Sequence, residues 1–250
     1  MPKIVRNLIL SDIHANWEAL EAVLNRAAGR YDRVVCCGDL IGYGPDPNRV
    51  LDWCRANVAF VIRGNHDKAA CGLENLEWFN HVAKTAALWT LKQLTPVNME
   101  YTRGLARGPL LVDGYQIAHG SPLDEDEYVV GPAEAAHTFA YLDEKITFFG
   151  HTHVQGGFAL RGRQVRMLAG PMWNESPGVL DLTQDDGFLI NPGSVGQPRD
   201  GDPRAAFILY DPADGRLFYH REPYDVDGVQ DKIRKAGLPD MLAERLAVGQ

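Results

Sequence analysis

The chain has 250 residues, of which 45% are hydrophobic, enough to bury a full core, and with no linker-like stretch to divide it, residues 1–250 read as a single domain. Its 33 acidic against 25 basic side chains give a formal net charge of −8, which excludes the basic balance needed to hold long nucleic acid by neutralising phosphates. No apolar run approaches a membrane span, no signal-like region precedes the apolar stretch Ile4 to Leu10, and the four cysteines lack zinc-knuckle spacing, so no membrane partner and a reduced, cytoplasmic setting are expected.

Strand and helix signals alternate through the first part of the chain. Val5 to Leu10 suits a buried strand, and Asn16 is placed to cap a helix in which Trp17, Leu20, Leu24 and Ala27 recur at helical spacing. Arg33 to Cys37 predicts a second strand, in which Cys36 and Cys37 act as small hydrophobes. Asp46 and Pro47 supply an N-cap and a first-turn proline for a helix reaching about Ala56, and Ala59 to Ile62 predicts a third strand. These units imply a largely parallel sheet, whose carboxyl-end loops are where such folds place ligands.

Asn80 to Leu94 reads as a helix, Leu110–Val112 and Tyr115–Ala118 flank the Asp113–Gly114 hairpin signal, and Ala133 to Leu142 suggests a further helix. After Ile146–Phe149 come strand candidates at 157–160, 165–168, 188–190, 206–210 and 217–220, which predict a second, mostly antiparallel sheet. The tail carries helix formers from Asp231 to Ala236, a stop at Gly237, and a last helical stretch from Pro239 to Ala247.

Polar clusters follow the apolar strands. Asp12 and His14 end the first, Asp39 the second, and Asn65 with His66 the third, while His119 and the pair His151 and His153 follow two later strands. Strand ends sharing one sheet edge would bring these residues together, and a set of Asp, Asn and His suits divalent manganese, iron, cobalt, nickel or zinc better than calcium. Singly, Asp12 or Asp39 would read as a cap or turn residue and each histidine as structural; together they point to metal. His81, His137 and His220 fit no such position, and Trp17, Trp53, Trp78 and Trp89 read as core or cleft walls, not as a base-stacking platform.

Ser11-Asp12-Ile13-His14, Gly38-Asp39, Gly64-Asn65-His66-Asp67, Ala118-His119-Gly120 and Gly150-His151-Thr152-His153 resemble, in order, the five motifs of calcineurin-like metallophosphoesterases. Asn191-Pro192-Gly193-Ser194 resembles a loop common in bacterial members. The resemblance implies an α/β fold, a two-sheet mixed β sandwich flanked by helices, and two bound divalent metals. Asp12, His14, Asp39 and His153 would hold one and Asp39, Asn65, His119 and His151 the other, with one oxygen of Asp39 reaching each metal. It implies hydrolysis of a small phosphorylated substrate by metal-activated water, with His66 as general acid and Asp67 orienting its ring.

Arg63 and Arg199 are candidates for a guanidinium contact to phosphate. Leu40-Ile41-Gly42-Tyr43-Gly44 stands where protein phosphatases of the family carry Val-Asp-Arg-Gly, which shifts the expectation toward small phosphodiesters or nucleotides, dinucleoside polyphosphates included. A phosphomonoesterase or protein phosphatase, and a non-catalytic scaffold of the same fold, are the alternatives. The pocket-shaping loops Glu74 to Asn80, Pro122 to Gly131 and Pro171 to Pro177 carry no decisive signature.

Overall fold

The computed structural model describes residues 5–171 and 177–250, so Ile4 and most of the loop from Pro171 to Pro177 lie outside the described residues. The chain opens with three strand–helix units: β1 (Asn7–Leu10), α1 (Trp17–Ala27), β2 (Arg33–Cys36), α2 (Pro47–Asn57), β3 (Val58–Val61) and α3 (Asn65–Ala70). Two helices follow, α4 (His81–Gln93) and α5 (Pro96–Arg103), then the hairpin β4 (Leu110–Val112) and β5 (Tyr115–Ile117), α6 (Pro132–Phe139) and β6 (Ile146–Phe148). The rest comprises β7 (Gly156–Arg161), β8 (Gln164–Ala169), β9 (Gly178–Asp181), β10 (Gly187–Asn191), β11 (Ala205–Asp211), β12 (Arg216–Glu222), α7 (Val226–Lys235) and α8 (Asp240–Leu246).

The strands form two mixed six-stranded sheets, in the orders β3-β2-β1-β11-β12-β9 and β4-β5-β6-β10-β7-β8. Period-two alternation explains their layering. Leu8 and Leu10 of β1 pack with Leu20, Val23 and Leu51 under the helices, whereas Ile9 joins Tyr115, Phe148, Phe188 and Ile208 in the core between the sheets. With both faces buried, these strands read as near-continuous apolar runs. On the outer face of the second sheet Leu189 and Phe158 meet Ala135 of α6, and a separate cluster gathers Ala83 and Ala86 of α4 with Val229, Ile233 and Leu242 of the C-terminal helices.

Asn16 caps α1 by accepting from the Ala19 N–H at 3.1 Å, and Asn80 caps α4 by accepting from Ala83 at 2.9 Å. Asp46 precedes α2 but makes no capping bond; its carboxylate holds Lys232 Nζ at 2.6 Å, tying α2 to α7. The late strands do not form a sheet of their own. β11, β12 and β9 extend the first sheet antiparallel from β1, while β6 and β10 pair in parallel inside the second. Strand patterning says which face is buried but not which edge a strand joins. The short helix α3, the helix α5 capped by Thr95, and β9 complete what local patterning passed over.

Candidate metal centre

The strand ends that carry the motifs belong to both sheets: β1, β2 and β3 in the first, β5 and β6 in the second. The motif residues therefore meet across the mouth of the sandwich, not along one sheet edge. The loop after β1 runs alongside the loop after β2, with the N–H groups of Asp12, His14 and Ala15 donating to the carbonyls of Gly38, Asp39 and Leu40 at 3.0, 3.0 and 2.9 Å. The segment from Asn191 to Ser194 braces two motifs: Ser194 Oγ donates to the Asp12 carbonyl at 2.7 Å and Asn191 Nδ2 to the Gly150 carbonyl at 2.8 Å.

Every described non-glycine residue with positive φ lies in these loops: Asp12, His14 and Ala15, then Asp39 and Tyr43, then His151 and His153. Left-handed backbone costs of the order of 1 kcal/mol or more per residue and persists where surrounding structure over-determines it, most often at functional sites. Two glycines make the close approach feasible. A Cβ on Gly64 would collide with Asp39 Oδ1, and one on Gly150 with Ser11 Oγ.

The side chains fall into two groups whose donor atoms lie within 4.8 Å of one another, Asp12–His14–Asp39–His153 and Asp39–His119–His151, all buried. Asn65 joins the second group, its Oδ1 being 3.2 Å from His119 Nε2. Asp39 belongs to both, through a single oxygen: Oδ1 accepts the His66 N–H at 2.9 Å, while Oδ2 lies 3.6 Å from His14 Nε2 and 3.4 Å from His119 Nε2. Division of its two oxygens between two metals does not match this geometry, because one is already held by α3.

The chemistry of the donor set fits a metal ion. Each histidine spends one ring nitrogen on a backbone carbonyl: His14 Nδ1 on Ile41 at 3.2 Å, His119 Nδ1 on Cys37 at 2.8 Å, His153 Nδ1 on Gln197 at 2.6 Å and His151 Nε2 on Asp126 at 3.1 Å. Such contacts fix the tautomer and leave the other nitrogen as a lone pair facing the cluster. His14 Nε2 and His153 Nε2 then oppose each other at 3.1 Å, an arrangement that a cation relieves. Asp12 Oδ2 and Asp39 Oδ2 are buried and accept no hydrogen bond, a costly state unless a cation meets them.

Burial holds His14 and His153 well below the ordinary histidine pKa and His151 down to about 3, so these rings stay neutral, as metal ligands must. Burial also lifts Asp12 to about 7, against the opposing charge of His119. Burial would lower His119 too, but the charge of Asp39, 3.4 Å away, outweighs it and raises that ring to about 10. A cation placed between Asp39 and His119 would take over the charge balance that the proton supplies.

His66 stands beside both groups, its ring 4.2 Å from Tyr43, 5.0 Å from His14 and 5.5 Å from Phe79 between centroids. Its Nδ1 has no partner, and burial lowers its pKa to about 4. Asp67 does not bond this ring, contrary to the expectation. Its oxygens accept the backbone N–H groups of Ile41 at 3.2 Å and Gly64 at 2.9 Å, so it positions the Asp39 and His66 loops instead. Arg63 is engaged by Glu125 at 2.9 and 3.0 Å, whereas Arg199 donates to Tyr43 and Gln197 and keeps a buried, unpartnered Nε.

A cavity of about 330 Å³ opens off the site, with Asn65, His66 and His151 on its wall. Asp126 and Tyr128, from the loop before α6, reach the site as well; the Tyr128 ring lies 3.8 Å from that of His151. Backbone carbonyls as orienting groups carry no sequence signal, and Tyr128 carries none beyond being aromatic. His81, His137 and His220 lie outside both donor groups.

Fold and site together define a metallophosphoesterase. The model of the calcineurin-like phosphoesterase superfamily domain matches residues 5–215, and the chain belongs to that family. It is 34% identical over 251 residues to the uncharacterized protein MJ0912 of Methanocaldococcus jannaschii, covering 97% of each chain. It is similar also to the crystal structure of a metallophosphoesterase from Sphaerobacter thermophilus, with 37% identity, a TM-score of 0.85, and 99% and 100% of the two chains covered. A hypothetical protein from Pyrococcus horikoshii shares the fold at 19% identity and a TM-score of 0.76, covering 98% of each chain. Among the described residues no helix is long and apolar enough to cross a membrane.

Proposed function

We propose that this chain is a dinuclear metal-dependent phosphoesterase that hydrolyses small phosphodiesters or nucleotides. The observation that carries the reading is Asp39 Oδ2, one buried, unpartnered oxygen that faces both donor groups. Asp12, His14, Asp39 and His153 would hold one ion, and Asp39, Asn65, His119 and His151 the other. When bound, such ions supply Lewis acidity to phosphoryl oxygens and acidify a water to act as nucleophile.

The residues around them divide the remaining work. Backbone carbonyls hold the ligating rings in place, and Arg199 offers its free Nε to a phosphoryl oxygen. His66 hands a proton to the departing oxygen; a phosphate beside the ring favours its protonated form, opposing the burial that keeps it neutral in the free protein. Tyr43 occupies the segment where protein phosphatases carry an arginine, so Arg199 alone supports a singly charged diester better than a monoester dianion.

Asp39→Asn should abolish turnover of bis(p-nitrophenyl) phosphate by the manganese-loaded protein, with the fold retained by circular dichroism. Undiminished turnover in that variant would overturn the reading. A monoester hydrolysed faster than the diester on the same preparation would overturn the diester preference alone.

A further inference from the structure

The cavity beside the metal centre is walled by rings. Phe79 and His66 meet edge to face, and Tyr128 lies tilted over His151, with 50% of its own surface exposed. Trp78, at the end of the 3-10 turn Leu76–Trp78, lines the same cavity and is 91% exposed. Trp17, Trp53 and Trp89 by contrast pack against the core clusters. A cleft wall, and not a base-stacking platform, was the role expected of Trp78; its place in the cavity fits the first half of that expectation and its exposure argues against the second. Its near-complete exposure leaves an indole in water beside a catalytic site, with no packing role in the fold to account for it.

The polar groups around this indole narrow what it meets. Among the described residues lining the cavity there is no lysine or arginine. The carboxylates of Glu74 and Asp126 share the buried Lys68 at 3.1 and 2.6 Å, so that ammonium is already engaged and offers no free cation. A chain of further phosphates would find no counter-charge there. A flat heteroaromatic ring would find an indole to stack on, carboxylates able to accept from a ring N–H, and Asn80, whose Oδ1 caps α4 and whose NH₂ is left to donate.

We propose that Trp78, with Tyr128 and Phe79, forms a base-binding subsite, and that the substrate is a nucleoside phosphodiester with its base in this cavity and its single phosphate at the metal centre. Long polyphosphates, dinucleoside polyphosphates included, are disfavoured. The inference rests on the phosphoesterase reading and adds to it which group flanks the phosphate.

The test uses zinc-loaded protein and two non-hydrolysable ligands, the monomethyl ester of the phosphonate analogue of AMP and the same sugar phosphonate ester without its base. The base-bearing ligand should bind at least about tenfold more tightly and quench tryptophan emission. Trp78→Ala should bring that affinity ratio toward one, and Trp78→Phe should restore part of it; because the side chain is exposed, folding should not depend on it. A ratio near one in the unaltered protein, or a ratio that survives Trp78→Ala, would overturn the subsite. Failure of both ligands to bind, while bis(p-nitrophenyl) phosphate is still turned over, would overturn it and leave the phosphoesterase reading standing. Absence of that turnover with every first-row divalent metal would remove the reading on which it rests.

Discussion

At Gly64 the side chain is a single hydrogen because Asp39 Oδ1 occupies the space a Cβ would take. The same oxygen accepts the His66 N–H, so one contact sets the aim of the carboxylate and the entry of α3. Gly64→Ala should displace Asp39 and lower diester turnover by about 100-fold, the order expected when reacting groups shift by an ångström. Metal content by elemental analysis should fall with it while circular dichroism stays unchanged; full metal content and full turnover would show that the carboxylate can relax. The candidate residues were legible in the sequence as polar types that follow apolar strands. Their detailed roles were not. Which Asp39 oxygen is free, and that Asp67 serves backbone N–H groups instead of a ring, depend on atoms brought from three loops.

Among the elements, α3 and the loop before α6 are joined by Lys68, only 5% exposed and bonded to Glu125 at 3.2 Å and to both oxygens of Asp126 at 2.9 and 2.6 Å. Through that anchor the Asp126 carbonyl reaches His151 and the Tyr128 ring packs tilted against the same ring. Lys68→Met leaves Glu74 and Asp126 without their cation, Glu125 keeping Arg63, and frees the loop. Zinc affinity, measured by competition with a chelator, should fall by about 10- to 100-fold, as when an orienting partner of a metal ligand is lost. An unchanged affinity would mean that other contacts hold the loop. Helix α1 was readable from its asparagine cap and spacing, α4 as the helical stretch from Asn80 to Leu94, and the β4–β5 hairpin from Asp113–Gly114. The helix α3 was hidden because six residues of Asn-His-Asp-Lys-Ala-Ala hold less than two turns of periodicity.

At the scale of the whole molecule, the buried His220 is expected to link folding to pH. His220, 2% exposed and outside both donor groups, stacks on Phe207 and takes a hydrogen bond from Arg30 at 3.1 Å. Burial and the positive charge of Arg30 and Arg26 hold its pKa down to about 4. Above about pH 6.5 the ring is neutral whether the chain is folded or not; between there and pH 4 only the unfolded chain takes the proton, so folding stability drains away as pH falls. Urea unfolding of the unaltered protein and His220→Gln, at matched metal loading, should give a stability difference that shifts by about 3 kcal/mol in favour of the variant between pH 7 and pH 4. A pH-independent difference would place the proton elsewhere.

The sequence by itself determined most of the strands, the Asn16 cap and the polar residue types that gather at the site, because those follow from local backbone geometry and side-chain chemistry. Tertiary structure alone decided that β11, β12 and β9 join the first sheet, that the motif loops meet from two sheets, and that Trp78 stands exposed beside the centre. Strand partners, carbonyl contacts and cavity walls are set by residues far apart in the chain, and no local pattern encodes which of them meet.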